Sequence, residues 1–202
     1  MSNGGDVAFA GSVGLFCGSS AGVDPAWTAA AAAFGELLAK GGVRLVYGGG
    51  ATGLMGACAR AVVAGGGRPL GVIPEFLRLP EVAYEAAELV VVASMHERKA
   101  TMFREADGFA VLPGGVGTLE EAIEVLSWAR LDLHAKPVVF LNTDGFWTPL
   151  AALLDHTVRA GFSPPAFSHA YRMVDGVEAM LPTLAAMRAE AGSRPAMPLT
   201  IT

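Results

Sequence analysis

Residues 108–131 read GFAVLPGGVGTLEEAIEVLSWARL. Phe109–Leu112 is an apolar run with no alternation, a pattern that suits a strand covered on both faces. Three glycines, at 114, 115 and 117, then break regular structure, and an amphipathic helix follows over Thr118–Leu131. A doubly covered strand that turns at once into a helix is the repeating unit of a parallel sheet, because parallel neighbours need a crossover between them.

The same unit recurs on both sides of this stretch. Strands are expected at Val13–Phe16, Val43–Tyr47, Pro69–Ile73, Leu89–Val92, Pro137–Leu141 and Tyr171–Val174. Helices are expected at Asp24–Lys40 (Asp24 as N-cap, Pro25 in the first position), Leu54–Ala64, Met95–Ala106, Phe146–Ala160 and Val177–Ala191. An irregular loop fills the span from the third strand to about Glu88. The fold class is α/β: a doubly wound, Rossmann-like parallel sheet flanked by helices on both faces. The chain is read as a single domain over 1–202, with 1–10 and 193–202 as loose tails.

The 202 residues are 52% hydrophobic with a mean hydropathy of +0.46, enough apolar surface for one large core and too much for a disordered chain. A net charge of -5 and a pI near 5.3, with no basic run, exclude a nucleic-acid surface. Cys17 and Cys58 lie in apolar segments and are read as buried thiols. No basic n-region opens the chain and no stretch approaches the ~18 apolar residues of a membrane span, so a soluble, cytoplasmic protein with no membrane partner is expected.

Ligands of open parallel sheets bind beyond the carboxyl ends of the strands, where the winding reverses. Three loops end strands in this sense: CGSSAG (17–22), GGGATGLMG (48–56) and LPGGVGTLEE (112–121). In the second, Gly48, Gly50 and Gly53 match the G-x-G-x-x-G of a dinucleotide site, with Glu75 some way downstream. That loop follows the second strand rather than the first, however, and Glu75 comes after Pro74 instead of closing a strand.

The third loop suits a phosphate monoester. Gly114, Gly115 and Gly117 remove β-carbons so that backbone N–H groups can converge on one anion; Val116 lies among them, Thr118 adds a hydroxyl and the helix adds its dipole. No Gly-Lys-Ser/Thr follows, so this is not a Walker loop. Two readings of the acids behind it are open. Thr118-Leu119-Glu120-Glu121 satisfies a capping box, in which Glu121 bonds back to the helix start; alternatively a carboxylate held one turn from a phosphate is there for chemistry. In SMHERKATMFREAD (94–107), Met95, Arg98 and Met102 share one helix face, so Arg98 points into the protein, while Lys99 is displaced by about 100°. Glu97, Arg104 and Glu105 read as a solvated face and His96 as structural; no second histidine stands at a ligand spacing, so neither a metal nor another cofactor is expected.

YGGGATGLMG, GVIP, MHERKATM, LPGGVGTLEE and EVLSWARLDLHAKPVVFLNTDGFW resemble, in that order, the Lonely Guy (LOG) family of cytokinin riboside 5′-monophosphate phosphoribohydrolases, long labelled lysine decarboxylases. The resemblance covers roughly residues 12–190. It implies a Rossmann-like domain in at least a homodimer, and a hydrolase that cuts the N-glycosidic bond of an adenosine 5′-monophosphate, often N6-substituted. It implies Arg98 and Glu121 as the catalytic pair, with Lys99 beside the arginine. Gly114, Gly115, Gly117 and Thr118 take the phosphate-binding turn, Val116 and Glu120 are further expected substrate contacts, and Ser127 stands where the family usually has a threonine near the ligand. Ser19 of the first loop and Met95 of the arginine stripe complete the expected substrate contacts. Two positions depart: Ser94 replaces the family's usual Asp before Met-His, and the family's substrate-contacting glutamate falls nearest Glu81, in the divergent and shorter LPEVAYEA (79–86).

Scission of an N-riboside builds positive charge on the sugar, which a carboxylate can stabilise. Glu121 is read in that role and Arg98 as the group that holds phosphate or ribose. Three rivals are weighed: a pyridoxal-dependent decarboxylase, for which only Lys40, Lys99 and Lys136 could carry the cofactor; a non-catalytic nucleotide carrier or sensor; and a nucleosidase of broader base range.

Overall fold

The computed structural model describes residues 9–79 and 81–192. Seven parallel strands, β1 (Ser12–Phe16), β2 (Arg44–Tyr47), β3 (Leu70–Pro74), β4 (Glu88–Val92), β5 (Gly108–Val111), β6 (Val138–Leu141) and β7 (Arg172–Val174), form one sheet in the order β4-β3-β2-β1-β5-β6-β7. Among the described residues are six α-helices, α1 (Pro25–Lys40), α2 (Gly53–Ala64), α3 (Met95–Glu105), α4 (Val116–Arg130), α5 (Thr148–Arg159) and α6 (Met180–Ala191); α1 to α5 lie between strands, and α6 follows β7. The winding reverses between β1 and β5, which pair directly through Val13–Gly108 to Phe16–Val111.

Both sheet faces are buried, so successive strand residues feed different cores. In β5, Phe109 and Val111 join Phe103, Leu126 and Trp147 on the face covered by α3, α4 and α5. Ala110 and the following Leu112 join Phe34, Leu38, Leu54 and Leu184 on the face of α1, α2 and α6. This explains the unbroken apolar runs of the central strands, where neither side of the pleat meets water, whereas the edge strand β4 leaves Val90 and Val91 exposed.

The expected strands and helices all occur, with shifted ends. The most consequential shift is in α4, which starts at Val116 with Gly115 as N-cap, two residues before the expected Thr118. Thr118 is therefore the third residue inside the helix rather than its cap, and the capping-box reading of Glu121 is overturned. Such a box exists at α3 instead, where the Ser94 hydroxyl accepts from the Glu97 amide at 3.1 Å and the Glu97 carboxylate accepts from the Ala93 amide at 2.9 Å. The Ser94 departure thus keeps a capping oxygen at the head of the arginine helix. A 3-10 turn, Thr143–Gly145, precedes α5, and another, Val177–Ala179, precedes α6.

The expected tails at 1–8 and 193–202 lie outside the described residues. Phe9 and Ala10, expected in the loose tail, are instead held: Phe9 is buried, and Arg188 donates to the Ala10 carbonyl. Cys17 and Cys58 are buried free thiols, both pushed well up by burial and so unreactive. Among the described residues no helix is long and apolar enough to cross a membrane.

Candidate active site

Three strand ends, β1, β2 and β5, deliver the three glycine loops to the switch point. Gly18 ties the first loop to the third by donating to the Pro113 carbonyl at 3.0 Å, and its own carbonyl accepts from Leu54 at 3.0 Å and Met55 at 3.4 Å. Those two amides are the second and third of α2. Two of the donors that a pyrophosphate would need at this helix start are thus already taken by protein, which weighs against a dinucleotide site there.

The glycines of that match answer to other demands. A β-carbon at Gly48 would lie 2.0 Å from Nη2 of Arg98, so only glycine leaves room for the guanidinium beneath the turn. Gly53 has φ +56°, and a β-carbon there would lie 2.4 Å from the Ser19 backbone.

Arg98 is 5% exposed. Its Nε donates to the Val72 carbonyl at 3.1 Å, and its Nη2 donates to the Gly48 carbonyl at 2.8 Å and to Glu81 at 3.1 Å. Nη1 touches only the sulfur of Met95, at 3.8 Å. The expected stripe of Met95, Arg98 and Met102 is therefore present, and Nη1 has no oxygen partner among the described residues.

The start of α4 is bare. No side chain caps it, and above Gly115 and Gly117 a β-carbon would meet nothing within 4 Å. Gly114 is the opposite case, since a β-carbon would fall 2.2 Å from the Thr118 hydroxyl, which is tucked beneath the turn. Beside Gly114 and Gly115 opens a cavity of about 270 Å³, walled by Ser19 and Ser20 and closed by Trp27 and Phe146. The exposed N–H groups of a helix start, a cavity next to them and no competing cap are the features that suit an anion.

Glu121 stands in the second turn of α4. Burial pushes its carboxyl up to about 7, against the pull of Arg98 and with the help of Glu120 and Glu81. The structure thus brings together Arg98, Glu121, Glu81, Met95, Ser19 and the turn from Gly114 to Thr118. It leaves other expected contacts apart. The Lys99 ammonium is held by Glu120 and, at 3.0 Å, by Glu124, so this lysine links α3 to α4. Although burial alone would lower its pKa, these carboxylates hold it above the ordinary lysine value, the wrong direction for a Schiff-base nucleophile. Lys136 donates to the Phe103 carbonyl and sits just before β6, at the amino end of the strands, away from the carboxyl ends that carry the glycine loops. Val116 projects outward and is 84% exposed. Ser127 lies with Val116, Glu120 and Ile123 along a surface hollow of about 540 Å³ on the outer side of α4. His96 is exposed on α3, and among the described residues no cluster of three or more His, Cys, Asp or Glu side chains could hold a metal ion.

The family model described as "Possible lysine decarboxylase" matches residues 55–184. A protein of Oryza sativa subsp. japonica, "Probable cytokinin riboside 5'-monophosphate phosphoribohydrolase LOGL9", is 51% identical over 158 residues, covering 78% of this chain and 70% of its own. The chain belongs to the LOG family. The Arabidopsis thaliana "Cytokinin riboside 5'-monophosphate phosphoribohydrolase LOG7" is 49% identical over 152 residues, 75% of this chain and 70% of that one. Among solved structures, the Moco carrier protein of Chlamydomonas reinhardtii superposes with a TM-score of 0.67 at 20% identity, over 90% of this chain and 99% of that one, a likeness of fold alone. The older family label and the enzyme name of the relatives point to different chemistry, and the paired, raised Lys99 and the distant placement of Lys136 argue against the label.

Sequence reasoning missed the Lys99–Glu120–Glu124 bridge and the Gly18 cap on α2. The first could have been sought in the i, i+4 spacing of Glu120 and Glu124, which sets both carboxylates on one face to receive a cation.

A raised carboxyl makes a stability prediction. Because the folded-state pKa of Glu121 lies above its unfolded value, its protonated form stabilises the fold below the unfolded value near 4.5, and that contribution is lost as pH rises through about 7. Glu121→Gln is expected to melt higher than wild type at pH 8, by roughly 2–4 °C, and to match it at pH 4; scanning calorimetry at both pH values checks this.

Proposed function

We propose that this chain hydrolyses the N-glycosidic bond of adenosine 5′-monophosphates, including N6-substituted ones, to the free base and ribose 5-phosphate. The observation that carries the reading is the buried Arg98 and the raised carboxyl of Glu121 beside an uncapped helix start. The phosphate sits on the amides of the Gly114–Thr118 turn, with Ser19 at its flank, and so contributes binding energy away from the bond that breaks. The ribose then lies over Glu121. As the C1′–N9 bond lengthens, its electron pair goes to the purine and positive charge grows at C1′, where the Glu121 carboxylate stabilises it. Water adds its oxygen to C1′; one of its protons is released, and the purine nitrogen takes up a proton from solvent. Nη1 of Arg98 holds the ribose or phosphate, since a guanidinium is a poor proton donor. Met95 borders the same space and is assigned to the ligand, with the base beyond it.

The same reading extends to the assembly. A cytoplasmic homodimer is proposed through the outer side of α4, where Val116, Ile123 and Leu131 are exposed around the surface hollow. That arrangement gives Ser127, remote from Glu121 in its own chain, a route to a ligand across the interface. Ile123→Glu is expected to halve the mass measured by light scattering; an unchanged mass contradicts this interface.

Chromatography of products from a panel of nucleoside monophosphates tests the activity. Wild type is expected to release adenine from AMP and to leave adenosine nearly untouched, and Glu121→Gln to lose more than about 100-fold in rate with the fold retained. The wild-type rate is expected to rise as pH increases through about 7, because the carboxylate is the working form. Tight binding of AMP without release of base would favour a carrier, and equal turnover of many bases a broader nucleosidase.

A further inference from the structure

The loop between β3 and β4 is irregular, yet it is fastened at several points to the turn that covers Arg98. The Ala51 amide donates to the Glu81 carbonyl at 3.2 Å and to the Val82 carbonyl at 2.8 Å, and the Tyr84 amide donates to the Gly49 carbonyl at 2.9 Å. Gly50 and Ala83 form an isolated antiparallel bridge. Val82 adopts φ 50°, a left-handed conformation that a β-branched residue takes only when its surroundings impose it. These fastenings carry one side chain inward: Glu81, whose carboxylate meets Nη2 of Arg98 at 3.1 Å with the two side chains only 17% and 6% exposed.

We propose that Glu81 is a positioning residue, whose carboxylate together with the Gly48 and Val72 carbonyls locks the guanidinium of Arg98 so that Nη1 alone faces the substrate. The inference deepens the hydrolase reading and rests on it. A buried guanidinium without a counter-ion would move toward any nearby anion. The anions within reach are the Glu121 carboxylate and the substrate phosphate, and either move would spoil the geometry for cleavage. Glu81 removes that freedom by occupying Nη2, and the loop fastened to Gly49 and Ala51 supplies the rigidity. The role differs from a substrate contact, because the Glu81 carboxylate acts through Arg98, which it meets at 3.1 Å.

The groups that act on the Glu121 carboxyl are Arg98 and Lys99 from α3, Glu120 from α4, Glu81 from this loop and the Cys17 thiol at the end of β1. Glu81 holds the Glu121 carboxyl up, so neutralising Glu81 lowers it. This gives a readout that a merely structural role would leave unmoved.

The experiment compares wild type, Glu81→Gln, Glu81→Asp and, as control, Glu85→Gln, an exposed charge of the same loop. Rates of adenine release from AMP give kcat and KM, and carboxyl carbon NMR of labelled glutamate, assigned with Glu121→Gln, follows the titration of Glu121. Expected for Glu81→Gln is a loss of tenfold or more in kcat, a KM within about threefold and a lower titration midpoint for Glu121. A tenfold rise in KM at unchanged kcat would overturn the inference in favour of a substrate contact, and behaviour like the control would overturn it outright. Glu81→Asp decides the case should the glutamine variant not fold: reduced kcat at unchanged KM supports positioning, and wild-type kcat contradicts it. If wild type releases no base, the hydrolase reading fails, and the titration still judges the ion pair: a lower midpoint in Glu81→Gln supports it, and an unchanged one overturns it.

Discussion

A guanidinium taken out of water must be paid for by its surroundings, and the site of this protein is arranged around that need. Arg98 meets two backbone carbonyls from β3 and the loop after β2, and one carboxylate from the loop before β4. Removing one member of such a buried pair typically costs about 3–5 kcal/mol, because the other is left charged without a partner. The constraint reaches into the sequence at Gly48, where a single methyl group would collide with Nη2. It also reaches the loop around Glu81, which has little regular structure and is ordered by its hydrogen bonds to residues 49 and 51.

Around this fixed cation the two remaining parts of the site have complementary character. The start of α4 offers uncapped amides and open space, suited to a mobile anion that arrives and leaves. Glu121, one turn further, is kept in surroundings that oppose its charge. That arrangement works against folding at neutral pH and favours chemistry, which is the usual relation between a strained group and the reaction it serves.

The fold was legible because a sheet covered on both faces leaves unbroken apolar runs, as in Phe109–Leu112, and because Asp24-Pro25 and Gly41 mark the ends of α1 plainly. Arg98 was legible as an inward residue from its spacing to Met95 and Met102. The start of α4 was not, since Gly115-Val116-Gly117 has poor helix propensity and a threonine followed three residues later by glutamate imitates a cap. Nor was the fate of Gly48, Gly50 and Gly53: the spacing matches a dinucleotide fingerprint, and only the contacts show that it clears an arginine and the Ser19 backbone. The i, i+4 spacing of Glu120 and Glu124 offers a face for a cation, but that Lys99 of α3 supplies it depends on how the two helices pack. Resemblance placed Ser127 near a ligand, whereas the single chain sets it on an outer face.

The most direct test of the central claim is the rate of base release by Gly48→Ala, which fills the seat of Arg98 without touching the phosphate turn or Glu121. With the fold retained, adenine release from AMP should fall by roughly 100-fold or more. Release at the wild-type rate from a folded Gly48→Ala protein would show that the seating of Arg98 does not govern the reaction.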